Sequence, residues 1–337
     1  MRVGLIGAGL QGRRRAPTIQ NCPGTELAII SCDIKESAQA TGLSKTFGCE
    51  STVGWETVVK RNDIDAIVIC TPPHLHAKIA IAAMKNGKHV LCEKPLAKTI
   101  EEAKAMVNAA KENNVKIECG LNHRFHPSIQ QAKQLLDGGE IGKPSFIRCR
   151  YGIAGRPGCE NEWRADPKIA GGGEVMDQGT HAIDLSRWFL GEFSEVSAFI
   201  ANYLPQMNLV EDNGFIMLRT KQNQIASIHV SLTQWKNLFS FEVFGTEGYV
   251  IAEGLGGSYG NERLAYGKKD LTKPFSEQVI EYRGEDRSWQ EEWMEFVASI
   301  KENRQPRASG YDGLVVMQIV DAAYTAAREH RVVSLNE

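Results

Sequence analysis

Residues 1–12 read MRVGLIGAGLQG. An apolar run (Val3, Leu5, Ile6) breaks at Gly7-Ala8-Gly9-Leu10-Gln11-Gly12, a G-x-G-x-x-G directly behind an expected strand. The spacing has a physical reading. Gly7 permits a tight turn, Gly9 lets the backbone approach a pyrophosphate, and Gly12 lets the next helix pack close to the strand. Leu10 and Gln11 open that helix, whose first amides and dipole favour a phosphate. Twenty-one residues beyond Gly12 the next apolar run (Leu27, Ala28, Ile29, Ile30) ends at Asp33. A carboxylate there accepts from both hydroxyls of an adenosine ribose and repels a 2′-phosphate, so NAD is expected over NADP. Glycine-rich turns are common. The signal lies in strand, motif, helix, second strand and acid taken together.

The pattern continues outward from this unit to residue 122. Strands are expected at 2–7, 26–32, 66–71, 88–92 and 115–119, and helices near 10–20, 35–43, 53–60, 76–86 and 99–113. Short apolar strands alternating with helices imply a doubly wound parallel sheet with right-handed crossovers. Ligands of such sheets bind beyond the carboxyl ends of the strands. The residues to watch are therefore Gly7–Gly12, Asp33, Cys70-Thr71-Pro72-Pro73-His74-Leu75-His76, Glu93-Lys94-Pro95 and Gly120-Leu121-Asn122-His123-Arg124. Expected cofactor contacts are thus Gly7, Gly9, Leu10, Gln11, Gly12, Asp33, Cys70, Thr71, Pro72, His74, His76, Glu93, Lys94 and Asn122. His74 and His76 have no third metal ligand close in sequence, and their loop is expected against the nicotinamide ribose.

The chain has 337 residues, more than one ordinary core accommodates, which implies two domains. A net charge of -2, with both signs spread along the chain, excludes nucleic acid or a membrane surface as the main partner. The basic cluster Arg13-Arg14-Arg15 reads as a solvated helix face, with one arginine available to a cofactor phosphate. No apolar run reaches the length of a membrane span, and no signal-peptide layout opens the chain. The eight cysteines are scattered, with no C-x-x-C; they read as buried free thiols in a cytoplasmic protein without a zinc site.

After Lys143-Pro144 the grammar changes. A strand at 145–152 leads into a Gly/Pro/Trp-rich loop from Gly155 to Gly173, then a helix from about 179 to 190. Strands follow at 193–202, 211–219, 225–233, 239–246, 248–253 and 277–282. Ala226, Ile228, Val230 and Leu232 alternate with Ser227, His229, Ser231 and Thr233. This period of two, joined by short turns, implies an antiparallel sheet. A large, partly apolar open sheet is a liability in a monomer, so a homodimer or homotetramer through it is expected. Trp289, Trp293, Phe296, Val297 and Ile300 repeat at helical spacing and read as a packing stripe. The division expected is a dinucleotide-binding domain at 1–122 and a substrate and oligomerisation domain at 123–337, with the last helices packing back on the first.

Two places carry chemistry. Lys94 ends a buried strand on the cofactor edge, beside a cationic nicotinamide, where it is suited to donate and accept protons. The second is Gly171-Gly172-Gly173-Glu174-Val175-Met176-Asp177-Gln178-Gly179-Thr180-His181-Ala182-Ile183-Asp184. Asp177 and His181, four apart at the start of a helix, share one face, with Asp184 near it. Three readings fit: a divalent metal site, a cap with a core histidine, or acid–base catalysis. The dinucleotide unit favours the last, with His181 accepting a hydroxyl proton, Asp177 orienting substrate and Asp184 orienting the helix. No metal is then required.

Gly7-x-Gly9-x-x-Gly12, Thr71-Pro72-Pro73-His74-Leu75-His76, Glu93-Lys94-Pro95 and Gly173-x-x-x-Asp177-x-Gly179-x-His181-x-x-Asp184 occur in this order. The set resembles the glucose–fructose oxidoreductase / inositol dehydrogenase / rhizopine-catabolism family (Gfo/Idh/MocA) over essentially the whole chain. The resemblance implies a Rossmann domain followed by an α/β domain whose open sheet mediates dimers or tetramers. It also implies NAD(P)-dependent oxidation or reduction of a sugar, polyol or sugar nucleotide. Lys94 matches the family's lysine, and Asp177 and His181 its acid and histidine. Trp163-Arg164 looks like the segment that reaches the cofactor, and Asn122 and Arg124 like the Asn-x-Arg loop. Pro73 departs from the pattern, where many members carry Asn. Substrate contacts implied are Lys94, Arg124, Arg156, Trp163, Asp177 and His181, with Arg156 offered to a carboxylate, a phosphate or solvent. Two other activities fit the same motifs: a glycoside hydrolase with tightly held NAD and an internal redox cycle, and a non-catalytic dinucleotide sensor.

Overall fold

The computed structural model describes residues 1–33, 37–207, 209–273 and 276–335, apart from the side chain of Ala38. They form two compact units. The first comprises Met1–Asn122, Lys168–Gly171 and Trp289–Met317; the second comprises His123–Pro167, Gly172–Ser288 and Gln318–Glu337.

The first unit holds a six-stranded sheet of β1 (Arg2–Ile6), β2 (Glu26–Cys32), β3 (Glu50–Val53), β4 (Ala66–Ile69), β5 (His89–Glu93) and β6 (Ile117–Gly120). Its order is β3-β2-β1-β4-β5-β6, and every pair is parallel. Helices α1 (Leu10–Asn21), α2 (Ser37–Phe47), α3 (Glu56–Val59), α4 (His76–Lys85) and α5 (Ile100–Glu112) supply the crossovers. The expected start of α2 at residue 35 lies outside the described residues. All four residues of β4 are buried, as a strand covered on both faces requires. The strand order reverses between β1 and β4, the switch point where such sheets bind ligands. Sequence reasoning missed β3, an edge strand of sequence ESTV with no fully buried residue, and extended α3 across its neighbourhood.

Helix α9 (Ser288–Lys301) contributes Trp293, Phe296 and Val297 to the core of this unit, among Val3, Leu5, Ala16, Ile19 and Ile30. The stripe packs from Trp293 to Ile300, while Trp289 is half-buried with the Arg14 guanidinium 4.7 Å from its ring centroid. All eight cysteines are free.

The second unit is built on nine strands: β7 (Pro144–Ala154), β8 (Phe193–Ala201), β9 (Asn213–Thr220), β10 (Ile225–Ser231), β11 (Thr233–Gly245), β12 (Gly248–Glu253), β13 (Glu262–Lys268), β14 (Gln278–Tyr282) and β15 (Val333–Ser334). The order is β14-β13-β12-β11-β7-β10-β9-β8-β15. Every pair is antiparallel except β7 with β10, which run parallel. Strands β13 and β15 are additions to the expected set. The first, ERLAYGK, alternates weakly, and the second is a two-residue edge.

Helix α8 (Glu174–Leu190) packs along β7, β9 and β10. A Cβ at Gly214 of β9 would lie 2.3 Å from Val175 Cγ2, so that glycine sets the close approach of helix to sheet. On the opposite face Phe146, Phe199, Phe215 and Met217 are exposed, Phe199 by 74%. Helix α6 (Pro127–Asp137) packs against β12 and β13, and a single helical turn, α7 (Pro167–Ala170), precedes α8 in the chain.

Candidate active site

In the first unit the glycine turn is fixed by sterics. Gly7 has φ +103°, and a Cβ there would meet the Cys70 carbonyl at 2.7 Å. A Cβ on Gly12 would stand 2.0 Å from the Gly7 carbonyl oxygen, so only glycine lets α1 cross β1 this closely. The Gly7 N–H donates to Ser31 O at 2.7 Å. Gly9 caps α1 without a side-chain hydrogen bond, and the first turn carries no acid. An uncapped N-terminus free of carboxylates suits a diphosphate. Leu10 is exposed and Gln11 half-buried on that turn, and Asp33 is exposed just past β2. These features fit NAD.

Arg15 corrects the reading of a solvated arginine face. Its side chain is fully buried, with Nε donating to Glu93 Oε1 at 2.7 Å and Nη1 2.6 Å from Glu292 Oε2. Burial opposes its charge, but Glu292 and Glu93 outweigh that and hold it protonated. Burial, with Glu93 nearby, pushes the Glu292 carboxyl up to about 7 against the pull of Arg15. Glu93, expected against the cofactor, is thus the pivot joining α1 to the end of β5.

His76 is also a correction. Expected beside the nicotinamide ribose, its ring has no exposed surface. Nδ1 lies 2.9 Å from Pro95 O and Nε2 2.8 Å from Thr71 O. Burial lowers its pKa, opposed by the two carbonyls. The ring stitches the Thr71-Pro72 turn to the segment after Lys94. Pro73 is buried at the first position of a short 3-10 turn, where no N–H is needed, and His74 is exposed. Cys70 is half-buried, and burial pushes its thiol far up. Lys94 itself is half-buried at the end of β5, with Glu93 anchored on one side and Pro95 on the other. Asn122 is buried just past β6.

In the second unit the start of α8 is capped from a distance. The Glu211 carboxylate accepts from Gly173 N at 3.1 and 3.0 Å, from Val175 N at 3.0 Å and from Tyr324 Oη at 2.7 Å. Burial raises the Glu211 pKa, and these donors oppose the rise. A Cβ on Gly173 would strike Glu211 O at 2.0 Å, which explains the last glycine of the triplet. Sequence reasoning missed this cap because Glu211 lies 36 to 38 residues from the amides it accepts from and 113 from Tyr324.

Along α8, Asp177 is 34% exposed, and its Oδ2 stands 3.4 Å from Arg164 Nε. The Arg164 guanidinium also lies 4.3 Å from the Trp163 ring centroid. His181, one turn on, is buried, its ring stacked on that of His123 at 3.7 Å. Asp184 takes both prongs of Arg124, Nε at 2.8 Å and Nη2 at 2.6 Å. Arg124, expected on substrate, is therefore engaged with the helix-orienting acid and is itself buried. Arg156 pairs with Glu162 at 2.8 and 2.7 Å on the surface. Tyr151, on the α8-facing side of β7, was not singled out by sequence. Burial, Tyr259, Asp177 and Glu174 together push its hydroxyl pKa far up. Among the described residues no group of three or more His, Cys, Asp or Glu is placed to hold a metal ion, and no helix is long and apolar enough to cross a membrane.

Family models match both halves of the chain. Residues 1–121 match the oxidoreductase family model for a NAD-binding Rossmann fold, and residues 129–251 match the GFO/IDH/MocA C-terminal domain. A levoglucosan dehydrogenase of Pseudarthrobacter phenanthrenivorans is 32% identical over 284 residues, 74% of this chain and 73% of that protein. A myo-inositol 2-dehydrogenase of Thermotoga maritima is 26% identical, spanning 100% of this chain and 99% of its own. A solved levoglucosan dehydrogenase in complex with NADH and levoglucosan superposes with a TM-score of 0.90 at 28% identity, covering 100% of this chain and 99% of that one. With its parallel glycine-turn unit and its mainly antiparallel second sheet, the chain belongs to the GFO/IDH/MocA family of NAD-binding oxidoreductases, enzymes of CH–OH chemistry.

Proposed function

We propose that this enzyme transfers hydride between NAD and a hydroxyl-bearing carbon of a sugar or polyol. One observation carries the reading: His181 is buried and locked in plane on α8, one turn beyond a part-exposed Asp177. A base held in one orientation beside an accessible carboxylate suits removal of a proton from one hydroxyl while a neighbouring hydroxyl is gripped. Relatives that act on levoglucosan and myo-inositol support a polyhydroxylated substrate.

The first turn of α1 would hold the diphosphate and Asp33 the adenosine ribose, with Thr71, Pro72, His74 and Asn122 along the edge of the sheet. Bound NAD supplies the hydride acceptor or donor. The chain supplies the rest. His181 takes the hydroxyl proton, Lys94 donates a hydrogen bond to the same oxygen as negative charge develops on it, and Asp177 accepts from a neighbouring hydroxyl. Arg164 steadies Asp177, and the anchors on Glu93 and Pro95 fix the backbone on both sides of Lys94. The exposed phenylalanine and methionine face of the second sheet is proposed as the surface of a homodimer or homotetramer.

The test is absorbance at the NADH band with purified enzyme, NAD or NADP, and a panel of anhydrosugars, inositols, aldoses, sugar acids and nucleotide sugars. A rise with one substrate, stronger with NAD than NADP, supports the reading. NAD binding with no rise across the panel, and sugar released from a glycoside instead, contradicts it in favour of an internal redox cycle.

A further inference from the structure

His123 sits between Asn122 and Arg124, and sequence assigns it no task. In the second unit its imidazole lies flat on that of His181, with centroids 3.7 Å apart and planes within 15°. Three other rings frame it: Tyr151 at 5.2 Å, His126 edge-on at 5.5 Å and Phe239 edge-on at 5.8 Å. Both stacked imidazoles are buried. A ring enclosed on this many sides has one orientation, and it imposes that orientation on the face it covers.

The stack also has an electrostatic consequence. A neutral imidazole tolerates a cation over its π face, whereas two imidazolium rings at this separation repel. On α8, Asp177 stands 3.4 Å from Arg164 Nε and Asp184 takes both prongs of Arg124, while His126, edge-on to His123, lies 3.2 Å from Glu262 Oε2. The Tyr151 hydroxyl stays protonated and adds no charge. With Asp177, Asp184 and Glu262 each facing a basic partner, the stack itself opposes a positive charge on both rings at once.

We propose that His123 is a positioning residue: it fixes the plane of His181, and the stack sets the protonation of either ring against that of the other. The inference rests on the reading of His181 as proton acceptor for its catalytic meaning. Its test does not. The full-length protein, with labelled histidine rings, is titrated by NMR as wild type, His123→Phe and His181→Phe. The expected result is that the two single-variant pKa values sum to at least about one unit more than the wild-type pair, a tenfold antagonism. Equal sums overturn the inference.

Where a phenylalanine variant fails to unfold cooperatively, His123→Gln and His181→Gln give the same comparison. Kinetics supply a second readout. His123→Phe, which keeps a flat ring, retains kcat and moves the acid limb of the pH profile. His123→Ala lowers kcat about tenfold or more at unchanged KM and NAD affinity. Equal losses in both variants with an unmoved profile overturn the positioning role. Coupled titration in a protein inert toward every sugar and polyol sustains the pairing and contradicts the proposed function; turnover with uncoupled rings does the reverse.

Discussion

Arg124 and Asp184 form a two-pronged ion pair inside the second unit, Nε and Nη2 of one on the two carboxylate oxygens of the other. Both side chains are almost wholly buried. The pair ties the turn after β6 to α8, one helical turn from His181. Removing one partner strands a buried charge. Asp184→Asn is expected to cost about 3–5 kcal/mol, read by urea unfolding. The double variant Arg124→Met/Asp184→Leu should lose less than the two single variants summed. A single-variant loss near zero would show that the pair does not anchor the helix.

A pH dependence follows from Glu292. Its carboxyl titrates near 4.5 when unfolded and is pushed up to about 7 by burial in the native state. Between those values the folded protein holds a proton that the unfolded chain does not, so this group's contribution falls as pH rises from 4.5 to 7. The span is worth roughly 3 kcal/mol at 1.36 kcal/mol per unit. Wild-type stability minus that of Glu292→Gln should therefore decline across this window and level off above it. A flat difference would place the ionisation elsewhere.

Gly12 is predicted to be intolerant of even a methyl group. A Cβ 2.0 Å from the Gly7 oxygen forces α1 away from β1, and with it the N–H groups proposed to hold the diphosphate. Gly12→Ala should weaken NAD binding about tenfold or more by calorimetry, or fail to fold. Gly42, with open space around its α-carbon, is the control: Gly42→Ala should leave NAD affinity unchanged.

The division between what the sequence disclosed and what it withheld follows contact distance. Strand β1, the glycine turn and strand β2 are legible because their parts are neighbours in the chain, and the same holds for the placement of Asp177 and His181 one turn apart on a helix. Arg15 was misread because its partners are Glu93, 78 positions away, and Glu292, farther still. A buried arginine looks solvated until its carboxylates are known. The Glu211 cap and the His123 stack escaped notice for the same reason. Strand β3 failed on composition, since an edge strand of Glu, Ser, Thr and Val buries too little to show a period. The parallel pairing of β7 with β10 has no local signature, because register between distant strands is settled by packing under α8.

The role of Lys94 in hydride transfer is tested by turnover of Lys94→Ala beside wild type, with NAD affinity measured on the same samples. Lys94 is proposed to steady the oxygen that loses its proton and to have no part in holding the dinucleotide phosphates. Lys94→Ala is expected to lose about 10²–10⁴-fold in kcat, with NAD affinity and thermal stability retained. Near-normal turnover in a folded, NAD-binding Lys94→Ala would contradict that role.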